Sequence, residues 1–65
     1  MLKLQTVRKT NGFTQKQVAE YLGMAVQSYQ RIEYGERGTN VRNWDKLEEL
    51  FNIPQKELRK KEQTQ

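Results

Sequence analysis

The stretch from Gln15 to Gly35, QKQVAEYLGMAVQSYQRIEYG, constrains this chain more than any other. Val18, Ala19 and Leu22 recur at helical spacing, as do Ala25, Tyr29 and Ile32, so each set describes the inward face of one helix. Gly23 stands between them, where a helix end takes a left-handed residue that glycine supplies without a Cβ clash. Two short helices joined by a glycine turn are therefore the centre around which the rest of the chain must pack.

Size limits what can surround that centre. Sixty-five residues make one small domain, for which folding alone is marginal. Without cysteine there is no disulfide or thiolate metal site, and without histidine the commonest metal ligand and acid–base group are missing. The core must come from helix packing, with or without a partner chain. No apolar run is long enough to span a bilayer and no secretory signal is visible, so the expected setting is cytoplasmic, and no membrane partner is expected. No cofactor, metal or small-molecule ligand is expected either. An enzyme is disfavoured because there is no His, Cys or Gly-rich phosphate loop. The neighbouring carboxylates Glu48 and Glu49 read as a solvated helix face.

Taken in order, Leu4 and Val7 mark the inward stripe of a first helix, roughly Leu2 to Thr10, which Asn11-Gly12 ends. Thr14 with Gln17 forms a capping box for the second helix, and Phe13 with Val18 has the spacing of a hydrophobic staple across it. The third helix runs from about Val26 to Tyr34 and Gly35 closes it, although Ala25 carries no side-chain oxygen to cap its start. Glu36 to Asn40 is a polar loop. Asn40 can cap a fourth helix from Val41 to Phe51, with Trp44, Leu47, Leu50 and Phe51 as its apolar stripe. Ile53-Pro54 opens a short fifth helix that buries Leu58. The division expected is a domain over residues 1–58 and a flexible basic and polar tail over 59–65, which holds no apolar residue.

Helix, glycine turn and helix form the helix-turn-helix layout, in which the second helix can enter a DNA major groove. Charge is distributed in keeping with this. The net charge is +4, and residues 1–42 hold seven basic and three acidic residues, whereas residues 43–65 hold five of each. The excess positive charge thus lies with the two-helix motif, as suits a phosphate backbone, although a charge of this size also serves ordinary solubility.

With this motif as the second and third of five helices, the chain resembles the Cro/C1-type (XRE-like) helix-turn-helix repressors of phages and bacteria. The resemblance covers about residues 2–58 and rests on Arg8, Gln15-x-x-Val18-Ala19, Gly23, Arg31-Ile32-Glu33-x-Gly35 and the Leu47…Phe51-Asn52-Ile53 run. It implies an all-α, five-helix, lambda-repressor-like domain that binds double-stranded operator DNA, usually as a two-fold homodimer. Three positions depart from the pattern. Ala25 stands where Ser or Thr is usual, Tyr29 where a small aliphatic is usual, and Asn40 near a common proline.

Individual residues then acquire candidate roles. Glu33 falls partly on the inward face of the third helix and needs a partner there, because an unpaired buried charge is costly. Arg8 is the natural candidate, and the resemblance implies the same structural ion pair. Gln27, Gln30, Arg31 and Tyr34 cluster opposite Tyr29 and Ile32, with Val26 and Ser28 flanking at the N-terminal end. Val26, Gln27, Ser28, Gln30 and Arg31 are the candidate base contacts, since Gln matches adenine, Arg matches guanine and Val can touch a thymine methyl. Gln15 and Lys16, at a helix N-terminus with free N–H groups, are candidate phosphate contacts. So are Arg37, Thr39, Asn40, Arg42 and Asn43, in the loop and first turn that the family lays along the backbone. Each of these polar sets also reads as an ordinary solvated surface. Trp44 reads as core, not as a base-stacking platform.

Two functions fit this reading. One is a sequence-specific transcriptional regulator, favoured as a repressor on a pseudo-palindromic operator. The other is a protein-interaction module, such as an antitoxin or adaptor, that keeps the fold while binding a protein.

Overall fold

The computed structural model describes residues 1–62. Five helices follow one another: α1 (Lys3–Thr10), α2 (Gln15–Leu22), α3 (Val26–Tyr34), α4 (Val41–Phe51) and α5 (Gln55–Leu58). Local chemistry sets most of their ends. Thr14 Oγ1 accepts from the Gln17 N–H at 3.1 Å while the Gln17 side chain accepts from the Thr14 N–H at 2.9 Å, closing the capping box of α2. Asn40 Oδ1 accepts from the Asn43 N–H at 2.8 Å and caps α4. Ala25 caps α3 with backbone alone.

The turn between α2 and α3 depends on Gly23, whose φ of 74° lies in the left-handed region. There the Gly23 N–H bonds to the Glu20 carbonyl and the Met24 N–H to that of Ala19, which satisfies carbonyls the helix end would otherwise leave bare. Gly35 repeats the device at the end of α3 with φ 79°.

The core draws on every helix. Leu4 and Val7 of α1, Val18, Ala19 and Leu22 of α2, Tyr29 and Ile32 of α3, Trp44, Leu47 and Phe51 of α4, and Leu58 of α5 are all buried. Phe13 packs edge-on against Phe51, with ring centroids 5.8 Å apart. The sequence pattern differs from the structure in three places here. Ala25, assigned by spacing to the inward face of α3, is exposed, because it precedes the helix in extended conformation. Leu50 is only half-buried, because it lies at the margin of the α4 stripe. Leu2, read as the start of α1, is extended and buried ahead of it.

Leu2 shows why the C-terminal stretch matters. The Lys3 N–H donates to the Lys60 carbonyl at 2.7 Å and the Glu62 N–H to the Met1 carbonyl at 2.8 Å, forming an antiparallel bridge between Leu2 and Lys61. The Leu2 N–H donates to the Glu33 carbonyl at 2.7 Å. Thr6 Oγ1 donates to Glu62 Oε1 at 2.6 Å, and the Arg59 guanidinium lies 5.3 Å from the centre of the Trp44 ring. Residues 59–62, expected as the start of a flexible tail, are therefore tied by main-chain bonds to the start of the chain. Sequence patterning misses them because they bind through backbone and charge and not through apolar side chains. Residues 63–65 of the same expected tail lie outside the described residues.

Tyr29 is fully buried and its hydroxyl has no hydrogen-bond partner among the described residues. Burial, reinforced by the nearby Glu33 charge, pushes its pKa well above the ordinary tyrosine value. An unfolded tyrosine ionises near pH 10, but the native one keeps its proton, so the native state binds more protons and stability falls as pH rises above about 10. Tyr29→Phe removes both features. At neutral pH its melting midpoint should equal or exceed that of the parent, since an unpartnered buried hydroxyl costs about 1–3 kcal/mol. Its stability should also decline less steeply in alkali. A midpoint several degrees below the parent would show that the hydroxyl is satisfied.

Candidate nucleic-acid interface

The interface begins inside the molecule. Glu33 is fully buried on α3 and Arg8 nearly so on α1. Arg8 Nε donates to Glu33 Oε2 at 2.6 Å and Arg8 Nη2 to Glu33 Oε1 at 3.3 Å. Arg8 Nη1 donates to the Phe13 carbonyl at 2.8 Å, where the chain turns into α2. Burial opposes the charge on Arg8, but the hydrogen bonds and charge of Glu33 outweigh it, and the guanidinium pKa rises above its already high value. The Arg8 guanidinium is thus charged at any ordinary pH.

From Glu33 the network runs outward. Gln15 Nε2, at the first position of α2, donates to Glu33 Oε1 at 3.1 Å. Gln30 Nε2 on α3 donates to Gln15 Oε1 at 3.0 Å. Both glutamines are half-buried. A chain of hydrogen bonds therefore joins the buried ion pair to two residues read from sequence as separate DNA contacts. Gln15 spends both its amide nitrogen and its amide oxygen on this chain, whereas Gln30 spends only its nitrogen and keeps its carbonyl oxygen for a further partner. Sequence reading did not connect them, although Gln30 stands three residues before Glu33 on α3 and so shares a helix side with it.

The remaining candidates on α3 divide by exposure. Gln27 and Arg31 are exposed, as is Tyr34 at the helix end. Val26 and Ser28 are half-buried, and Val26 packs against the core margin. Lys16 is exposed beside Gln15 on α2. The α3–α4 loop behaves differently. Asn43 Nδ2 donates to Thr39 Oγ1 at 2.7 Å while its N–H is held by Asn40, so these three side chains lock one another. Arg37 and Arg42 are exposed and form no ion pair among the described residues.

Arg37 and Arg42, unpaired among the described residues, an ordered polar ridge and the N-terminus of α2 are groups of the kind that hold a phosphate backbone while side chains of one helix reach base edges. Among the described residues no group of three or more His, Asp or Glu is placed to hold a metal, and no helix is long and apolar enough to cross a membrane.

In comparison with protein families, a family model described as helix-turn-helix matches residues 4–58. Comparison with curated proteins found no match, and neither did comparison with solved structures.

Removing one member of the ion pair should be severe. Arg8→Ala strands the buried Glu33 carboxylate and should lower stability by about 3–5 kcal/mol in denaturant unfolding. A change under about 1 kcal/mol would mean that Glu33 is satisfied without Arg8.

Proposed function

Since this chain belongs to the Cro/C1-type (XRE-like) helix-turn-helix family, we propose that it represses transcription by occupying a pseudo-palindromic operator as a homodimer. The family makes it a DNA-binding helix-turn-helix regulator. The finer reading rests on one observation: Gln27 and Arg31 stand exposed on α3, beside a glutamine pair anchored to a buried charge. Side chains on a rigid helix lose little freedom on binding, which favours specific over merely adhesive contact.

In this reading α3 lies in the major groove. Val26, Gln27, Ser28, Gln30 and Arg31 face base edges. Gln15 and Lys16 at the start of α2 hold one phosphate run. Arg37 and Arg42, supported by the interlocked Thr39, Asn40 and Asn43, hold another. Two copies would place their α3 helices in successive major grooves about 34 Å apart. Occupancy of promoter DNA is then sufficient for repression.

A gel shift with DNA flanking the gene tests this. Binding should weaken steeply with salt. Arg31→Ala should relax preference at one base position by about 1–3 kcal/mol, whereas Arg42→Ala should weaken all sequences alike and flatten the salt slope by about 1. If both variants bind like the parent, this face is not the interface. If the parent binds no DNA, the protein-partner alternative gains the ground. Sedimentation with and without a footprinted site reads the dimer.

A further inference from the structure

Residues 59–62, a C-terminal strap, and the α3–α4 loop meet beside Trp44 in an open cleft of about 350 Å³. Its lining includes Arg37 and Gly38 from the loop, Arg59 and Lys61 from the strap, and the buried face of Trp44. None of the three cations is in an ion pair among the described residues, whereas their neighbour Lys60 is paired with Glu57 at 2.9 Å. One acidic residue, Glu36, also lines the cleft, and it holds none of them in an ion pair. The lining therefore carries a formal surplus of two positive charges.

Like charges drawn together by the fold repel one another, and an anion between them removes that cost. The surroundings strengthen the effect. The buried Trp44 ring makes one wall apolar, which lowers the effective dielectric on that side of an otherwise open cleft. Arg59 is already held over the Trp44 ring, so it needs little ordering to meet a ligand. The main-chain N–H groups of Arg37 and Gly38 have no acceptor among the described residues. Guanidinium, ammonium and amide donors from two segments suit the several oxygens of a phosphoryl group.

We propose that this cleft is a phosphoryl-binding site. A backbone phosphate of bound DNA and a free phosphorylated molecule present the same chemistry. The DNA source rests on the regulator reading above, and the free-ligand source does not. In the first case the strap extends the DNA footprint beyond the helix-turn-helix and the α3–α4 loop. In the second, the cleft is where a small phosphorylated effector is sensed.

The chain has a single tryptophan, so Trp44 fluorescence reports occupancy directly. The test compares the parent with R59Q/K61Q, and with K61Q alone, which leaves the Arg59–Trp44 contact in place. Each is titrated with inorganic pyrophosphate, and each is measured for affinity to a random-sequence duplex across salt concentrations. Loss of each phosphate contact should flatten the salt slope by about 0.9 without changing sequence preference. A flattened slope in both variants assigns the site to the DNA backbone. An unchanged slope, with a saturable pyrophosphate response in the parent that both variants lose, assigns it to a free ligand. Unchanged slope and no such response overturn the proposal. If the parent binds no DNA, the regulator reading falls and the pyrophosphate arm decides the cleft alone.

Discussion

A carboxylate with no exposed surface is the constraint on which this molecule is arranged. Glu33 cannot remain charged inside the protein unless its oxygens are met, and the donors come from two other helices. Arg8 reaches it from α1 and Gln15 from α2, while Arg8 also holds the Phe13 carbonyl at the turn between those helices. Satisfying one acid thus sets the relative placement of α1, α2 and α3. Apolar packing alone is less selective, because Leu, Val and Ile surfaces tolerate sliding that a bidentate ion pair does not.

The same network gives the surface its order. Gln30 is held by Gln15, and Gln15 by Glu33, so the polar ridge on α3 begins as a continuation of the interior. A long side chain on an open helix face samples several rotamers and loses that freedom on binding. Here part of that loss is already incurred in folding. With α3 as the recognition surface proposed above, stability and recognition would be coupled through the one carboxylate, a physical reason for tolerating a buried charge in so small a core.

A second linkage closes the other end of the molecule. The first residues and the strap share main-chain hydrogen bonds, and Leu2 in turn bonds to the Glu33 carbonyl near the end of α3. Residue 33 is therefore gripped twice, by side chain and by backbone. The strap also brings Arg59 and Lys61 beside Arg37, so the cationic surface is assembled from both ends of the domain and not from the motif alone.

The helices and their ends were readable from sequence because local interactions fix them. The Thr14–Gln17 box, the left-handed Gly23 and Gly35, the Asn40 cap and the period of the apolar residues all act within a few positions. The partnership of Arg8 with Glu33 was readable too, since an inward acid must find a cation. What sequence left open depends on distances between helices. Ala25 matched the apolar spacing yet is exposed; Leu2 and residues 59–62 bind through backbone groups that every residue carries; and Gln15 and Gln30 meet only because Glu33 draws α2 and α3 together. Short-range chemistry determines which segments are helices, but which polar groups touch is decided only when the chain closes on its buried charge.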